Sequence, residues 1–226
     1  MTDIYDSELR EHISSWEKRG FCVIRGLLSP REAEELRRSV QGELDRTRAA
    51  APPAGAGPVP YTEPDGKSAG VQFLTYVAEL HDAMPCAPLV RRFTAARARI
   101  AAQLPGGAAQ RHSRAHLCTS VICMPQGRSI DWHTDAEQGA PPLIAVLHLS
   151  RHGVDYEGGA FRVRDQVSGA EHEVTPSAGD AVLFPWDARH AVTEVTRGQR
   201  LVLSSGWLQE KQEQPALGET QTWNVQ

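Results

Sequence analysis

The sequence has no apolar run long enough to cross a membrane as a helix, and its opening stretch, MTDIYDSELREH, is acidic and polar. A spanning helix needs about 20 mostly apolar residues, and a secretory signal needs an apolar core. Basic residues are not in excess either, because 24 Lys and Arg stand against 28 Asp and Glu, for a net charge of −4. We therefore expect a soluble, cytoplasmic protein that binds neither membranes nor nucleic acids.

Cysteine is scarce and widely spaced. The four cysteines are Cys22, Cys86, Cys118 and Cys123, and no two of them form a C-x-x-C pair. Disulfide scaffolds and structural zinc sites usually need closely spaced cysteines. Free thiols in a reducing compartment are therefore favoured over a disulfide or a zinc site.

The 226 residues, 40% of them hydrophobic, suit one ordinary folded domain. Residues 1–114 are predicted to form a supporting region of helices and loops, with helices at 7–19, from Pro30 onward and at about 88–104. Ser29 and Glu32 form a capping box for the second helix, and Gly20 is placed to end the first. Residues 209–226 are polar apart from Trp223 and are predicted to be a loosely held tail.

The segment 49–70 is rich in Ala, Pro and Gly and is too polar and broken to be predicted as a core element. Two interpretations stay open. It is either a disordered insertion or a mobile lid over an active site, because long irregular loops in compact domains often have such a function.

Residues 115–208 have a different character. Short β-branched and aromatic runs, such as HLCTSVICM and DAVLFPW, are separated by Gly, Pro and Asp turns. Strand signals at this regular spacing predict an all-β sandwich or barrel. The pattern therefore predicts a β core that follows the helices within a single domain.

The stretch SIDWHTDAEQ contains the first candidate for chemistry, because His133 and Asp135 are two residues apart after a strand-like run. Residues i and i+2 of a strand project from the same face, so both side chains can bind one metal ion. A surface ion pair is the alternative, and composition alone predicts roughly one His-x-acid sequence by chance.

A second motif, PWDARHAVTEVTRGQRLVL, contains His190 and Arg200. A β-barrel can bring His190 beside His133 and Asp135, and two imidazoles with one carboxylate form a facial triad that suits non-heme Fe(II). A closed zinc site would prefer four ligands that include Cys, and no Cys is near these positions. The TRG turn is predicted to place Arg200 on the strand beside His190, deeper than the metal.

In its C-terminal half the sequence resembles the iron(II)/2-oxoglutarate-dependent dioxygenase superfamily, in its prolyl-4-hydroxylase-like branch. The pieces that carry the resemblance are HTD (133–135), YEGGAFRV (156–163), PSAGDAVLFP (176–185), RHAVTEVTRGQR (189–200) and GW (206–207). The resemblance implies a double-stranded β-helix, or cupin-like jelly-roll, that is mainly β with flanking helices. It also implies Fe(II), 2-oxoglutarate and O2 as cofactor and cosubstrates, with ascorbate helpful in vitro.

The same resemblance implies roles for individual residues. His133, Asp135 and His190 would bind the iron, and Arg200 would bind the distal carboxylate of 2-oxoglutarate through its two-pronged guanidinium. The sequence departs from the prolyl-hydroxylase pattern at two positions. Met124 stands where the prolyl-hydroxylase pattern commonly has a Tyr that assists 2-oxoglutarate binding, so this contact is absent or supplied elsewhere. Arg200 stands where that branch commonly has Lys.

The expected function is hydroxylation of an unactivated C–H bond of a small molecule, such as an amino acid or a biosynthetic intermediate, with conversion of 2-oxoglutarate to succinate. The alternatives are a hydroxylase of a protein side chain or a carrier-bound acyl group, and a non-catalytic cupin-like metal-binding module. Arg128, Trp132 and Trp186 flank the expected ligands and are candidate substrate contacts. His148, in an apolar strand, is interpreted as a hydrogen-bonded core or rim residue rather than as a ligand.

Overall fold

The computed structural model describes residues 6–49, 59–62, 71–77, 84–104, 115–135 and 143–210. Its helices are α1 (Asp6–Arg19), α2 (Pro30–Ala49) and α3 (Ala87–Ala101). Its strands are β1 (Cys22–Ile24), β2 (Val59–Thr62), β3 (Gln72–Val77), β4 (Ala115–Pro125), β5 (Ile130–His133), β6 (Leu143–His148), β7 (Tyr156–Gly158), β8 (Phe161–Arg164), β9 (Glu171–Val174), β10 (Ala181–Pro185), β11 (His190–Val192) and β12 (Val195–Glu210).

The helix ends follow from local sequence signals. Helix α1 stops before Gly20, which adopts a φ of +75° that favours glycine. Ser29 and Glu32 form the predicted capping box at the start of α2: the Glu32 carboxylate accepts from the Ser29 backbone N–H at 2.8 Å, and the Ser29 hydroxyl accepts from the Glu32 N–H at 3.3 Å. The predicted helices are confirmed, although α3 ends three residues earlier than expected.

Within the described residues, the strands form two antiparallel sheets. The larger sheet has the order β1-β10-β6-β12-β4-β3-β2, and β7 pairs with the first part of β12. The smaller sheet has the order β5-β11-β8-β9. Strands β11 and β12 are consecutive in sequence but belong to different sheets, so the chain crosses from one sheet to the other at residues 193–194.

The two faces of the larger sheet contribute to two separate apolar clusters. Leu147, Leu201 and Leu203 face the helices and pack in one cluster with residues of α2 and α3. Val146 and Val202 face the smaller sheet and pack with its inward residues in the other cluster. This alternation follows from the two-residue period of a strand. Even-numbered residues therefore line the interior between the sheets in β6 and in residues 200–204 of β12.

The predicted mainly-β class with flanking helices is confirmed, but one sequence interpretation is wrong in part. The segment 49–70, expected to be irregular, contains strand β2, which pairs with β3 through partners such as Val59 and Thr75. Strand β3 was not predicted at all. Apart from Ala49, which ends α2, the rest of 49–70 lies outside the described residues. The expected tail also lies outside them except for its first two residues, which end β12.

The helices that the structure describes include none that is both long enough and apolar enough to cross a membrane. The division of the chain into a support region, a β core and a tail stays a prediction, and so does the cytoplasmic location.

Candidate metal centre

Two neighbouring strands of the smaller sheet bring three polar side chains together. His133 ends β5 and His190 begins β11, and the two residues are direct partners in the antiparallel register. Asp135 follows His133 by two residues, and its backbone N–H donates to the carbonyl of Trp186 at 2.8 Å. This bond ties the end of β5 to the segment between β10 and β11. The predicted proximity of His133, Asp135 and His190 is thus present in the structure.

The three side chains point their polar atoms at one small volume. One ligand atom from each lies within 4.8 Å of the other two. Asp135 lies between the imidazoles, with Oδ1 3.6 Å from His133 Nε2 and Oδ2 3.5 Å from His190 Nε2. The side chain of Asp135 is only 2% exposed, and those of His133 and His190 are 13% and 7% exposed. The cluster is therefore recessed rather than a surface ion pair.

Backbone contacts set the orientation of both imidazoles. His133 Nδ1 lies 2.7 Å from the carbonyl oxygen of Asp131, and His190 Nδ1 lies 3.0 Å from that of Ala188. A carbonyl oxygen only accepts, so Nδ1 must be the protonated donor in each ring. The Nε2 lone pair of each ring then faces the cluster, as a metal ligand requires. Two such nitrogens and one carboxylate oxygen fit Fe(II) and leave further coordination positions open.

Aromatic rings border the cluster on the interior side. The ring centroids of Phe184 and Phe161 lie 4.5 Å and 5.8 Å from that of His190. Both phenylalanines are almost fully buried and belong to the apolar cluster between the sheets. Because these rings exclude water from that side, electrostatic interactions at the cluster are stronger than they would be in bulk solvent.

Arg200 projects into the same interior from the opposite sheet. Arg200 is 2% exposed, and it is the register partner of Met124 where β12 pairs with β4. Its Nη1 atom lies 3.5 Å from the Sδ atom of Met124. Burial lowers the pKa of its guanidinium. The expectation that Arg200 would lie on the strand beside His190 is wrong, because β12 belongs to the larger sheet. Arg200 thus faces the interior from across the sandwich.

Two buried polar side chains near Arg200, His148 and Tyr156, were not predicted as site residues. Each is 1% exposed. The interpretation of His148 as a buried residue is confirmed, but neither of its ring nitrogens has a hydrogen-bond partner among the described residues. A polar residue at an inward position of an apolar strand is the sequence signal that could have identified it.

The three candidate substrate contacts differ in position. Trp132 follows the alternation of β5 away from His133, and its ring lies under the guanidinium groups of Arg162 and Arg164, at 5.1 Å and 5.8 Å. This geometry does not favour substrate contact, because the ring faces out of the sandwich. Trp186 is partly buried against the interior cluster. Arg128 is exposed in the turn between β4 and β5.

Residues 119–209 match the family model of the 2OG-Fe(II) oxygenase superfamily. Over this part of the chain, the match confirms the resemblance seen in the sequence and the cofactors for which the superfamily is named. A PKHD-type hydroxylase from Herminiimonas arsenicoxydans is 49% identical over 98 residues, which are 43% of this chain and 38% of that protein. The chain spans about a third of the length of the curated relatives it matches.

Solved structures show the same fold over nearly the whole chain. A prolyl-4-hydroxylase from Pseudomonas putida superposes with a TM-score of 0.63 at 20% identity, covering 90% of this chain and 100% of that one. A prolyl hydroxylase from Trichoplax adhaerens, solved with a peptide fragment, superposes with a TM-score of 0.64 at 14% identity and covers 88% of each chain. The predicted jelly-roll is therefore confirmed.

Proposed function

We propose that this chain is an Fe(II)/2-oxoglutarate-dependent oxygenase that hydroxylates an unactivated C–H bond of a small molecule, such as an amino acid or a biosynthetic intermediate. One observation carries the proposal. Two imidazoles and a carboxylate, whose ligand atoms lie within 4.8 Å of one another, share an interior with the buried guanidinium of Arg200. The superfamily match over residues 119–209 supports it.

Each residue has a distinct role in this proposal. His133, Asp135 and His190 would hold Fe(II), which when bound supplies the activation of O2 that side chains cannot provide. Three protein ligands leave positions open for the keto-acid end of 2-oxoglutarate and for O2. Arg200 would bind the distal carboxylate, since a guanidinium donates two parallel hydrogen bonds to a carboxylate. The phenylalanines beside His190 would limit the access of water.

The burial of Arg200 favours this function over a cupin-like module that binds metal without turnover. Among the described residues no carboxylate forms an ion pair with it, and its Nε atom has no hydrogen-bond partner. A buried cation is costly unless an anion accompanies it. A dicarboxylate cosubstrate would supply that anion, whereas a metal-storage module has no need for it.

The second candidate is hydroxylation of a side chain on a peptide or of a carrier-bound acyl group. The Trichoplax structure, which shares the fold, was solved with a peptide. The candidate metal ligands are recessed, so the carbon to be oxidised must belong to a slender group that reaches between the sheets. A small molecule and an extended side chain both satisfy this condition.

A product assay tests the proposal. The wild-type protein and the variant Asp135→Ala are incubated with Fe(II), ascorbate and 2-oxoglutarate, with panels of small molecules, peptides and carrier-bound acyl groups. Succinate and substrate masses are both measured. A gain of one oxygen atom in a small molecule, dependent on Asp135, is the expected result. Modification confined to peptides or carriers would select the second candidate, and no succinate in any mixture would refute the oxygenase.

A further inference from the structure

His148 and Arg200 are neighbours on the interior face of the larger sheet. His148 ends β6 and is the direct partner of Val202 on β12. Arg200 precedes Val202 by two residues, so it projects from the same face of the sheet. Diagonal neighbours of this kind in an antiparallel pair are about 7–8 Å apart, which is within reach of long side chains. The imidazole and the guanidinium can therefore contact one small ligand.

The His148 imidazole is buried with its hydrogen-bonding capacity unused. It is 1% exposed, and neither Nδ1 nor Nε2 has a partner among the described residues. Burial holds its pKa well below the usual range, and the charge of Arg200 lowers the pKa further. The ring is therefore neutral at physiological pH, with one donor and one acceptor. Buried polar groups in native proteins are nearly always hydrogen-bonded, so this ring is suited to a ligand.

The hydroxyl of Tyr156 lies beside the Arg200 guanidinium. Tyr156 lies on β7 opposite Gly198, close to the segment of β12 that carries Arg200. Its buried hydroxyl oxygen interacts with the Arg200 guanidinium, which can only donate, so the phenol proton has no acceptor within the described parts of the chain. Burial raises the pKa of the phenol, and the charge of Arg200 offsets part of this rise. The phenol keeps its proton at neutral pH and can donate it to an anion.

The surroundings of Gly159 show how closely the side chains of Arg200 and Tyr156 approach each other. A Cβ atom at this position would lie 3.1 Å from both Arg200 Cδ and Tyr156 Cε2. The two side chains therefore meet over a residue that has no side chain of its own. The interior next to them is lined by Met124, whose thioether is only a weak acceptor.

We propose that His148 and Tyr156 bind the distal carboxylate of the cosubstrate together with Arg200. This inference rests on the proposed function. A carboxylate accepts about four hydrogen bonds, and a guanidinium occupies only two of these positions. The neutral imidazole and the phenol supply donors for the remaining two. They replace the contact that Met124 cannot make, and they give the pocket a preference for a 2-oxo diacid over a 2-oxo monoacid.

The test is calorimetric titration of 2-oxoglutarate into the anaerobic Mn(II)-loaded protein. His148→Leu removes the donor and is expected to weaken binding by about ten- to a hundredfold, because the lost hydrogen bond is to a charged group. Tyr156→Phe is expected to weaken it by about tenfold for the same reason. His148→Gln keeps a donor and is expected to stay within about threefold of wild type. The affinity for Mn(II) should be unchanged in all three variants.

A second titration separates ligand contact from a structural role. The ratio of 2-oxoglutarate to 2-oxobutyrate affinity is measured, since the monoacid lacks the distal carboxylate. Loss of a carboxylate contact reduces this ratio, whereas general damage weakens both ligands equally. Leu147→Ala is the matched control, because Leu147 precedes His148 on β6 but faces the helices. It should lower the unfolding temperature and leave the ratio unchanged.

The outcomes are distinct. Wild-type affinity and ratio in His148→Leu and Tyr156→Phe would overturn the inference while leaving the proposed function intact. An unchanged ratio with weaker binding of both ligands would also overturn it. If the wild-type Mn(II) protein binds no 2-oxoglutarate at all, the proposed function itself fails.

Discussion

His133 and His190 are direct partners across the antiparallel strands β5 and β11, and their ring centroids lie 4.1 Å apart. The pairing of two strands in the smaller sheet therefore places two candidate metal ligands side by side. Asp135 joins them through the bond from its backbone N–H to Trp186. The arrangement depends on strand pairing and backbone hydrogen bonds, so the site should be formed before any metal binds.

The metal ligands can be tested without turnover. His133→Ala and Asp135→Ala should each abolish tight Fe(II) binding, because two remaining ligands hold the ion poorly. The unfolding temperature should change by only a few degrees, since the core is apolar. Metal titration and circular dichroism check both points. Asp131→Asn, an exposed position on the same strand, is the control and should bind metal normally. Undiminished Fe(II) binding in either alanine variant would reject these ligands.

Arg200 should control the affinity for 2-oxoglutarate and leave the affinity for Fe(II) unchanged. Arg200→Lys keeps the charge but loses the two-pronged geometry, so we expect a loss of roughly 1.5–3 kcal/mol. Arg200→Leu should nearly abolish succinate production. The control is Arg197→Leu, because Arg197 lies on the same strand but is exposed and paired with Glu157. Equal cosubstrate affinity in Arg200→Leu and wild type, measured by calorimetry, would mean that another residue binds the diacid.

Gly159→Ala should weaken 2-oxoglutarate binding by about tenfold, because the new methyl group displaces Arg200 from its geometry. It should also cost about 1 kcal/mol of stability, since Gly159 has a φ of +60°. Gly153→Ala separates the two effects: its φ is +78°, but no atom lies within 4 Å of the added carbon. Gly153→Ala should lower the stability and leave the affinity for 2-oxoglutarate unchanged. Titration of both variants with 2-oxoglutarate, beside thermal unfolding, decides between strain and displacement.

The capping box makes stability depend on pH. Hydrogen bonds from Arg92 and Ser29 lower the pKa of Glu32 to about 2. Because this pKa is lower in the folded state than in the unfolded chain, the ionised form stabilises the fold above about pH 4.5. That stabilisation is lost as the pH falls from there toward 2. Glu32→Gln should therefore cost about 1 kcal/mol at pH 7, the usual value of a helix cap, and little at pH 2.

Denaturant unfolding at several pH values measures this difference. Glu35→Gln, at an exposed position of the same helix, is the control and should follow the wild-type curve. If Glu32→Gln lowers the free energy of unfolding equally at pH 7 and pH 2, the carboxylate charge is not the source of the stabilisation.

Features that depend on neighbouring residues could be predicted from the sequence. The start of α2 follows from Ser29 and Glu32, which interact over three residues. The shared direction of His133 and Asp135 follows from their i, i+2 spacing. The double glycine at 158 and 159 is a local signal for a turn or bulge, and both residues adopt positive φ values, +69° and +60°.

Features that depend on distant pairing could not be predicted in the same way. Strand β2 lies in a segment whose Pro and Gly content indicates a loop, and only its pairing with β3 makes it a strand. The sequence alone predicts that Arg200 lies on the strand beside His190, because no local signal marks the crossing between sheets at residues 193–194. His148 is polar in an apolar strand, and the role proposed for it depends on Arg200, which is distant in sequence but is its diagonal neighbour across β6 and β12.

The central claim is that the His133, Asp135 and His190 cluster and Arg200 form one site, in which a metal ion and 2-oxoglutarate bind together. The most direct test is to titrate the anaerobic wild-type protein with 2-oxoglutarate in the presence and in the absence of Mn(II). A ligand held at one end by the metal and at the other by Arg200 should bind at least about tenfold more tightly when the metal is present. Equal affinity with and without the metal would contradict the claim, because it would place the diacid away from the three ligands.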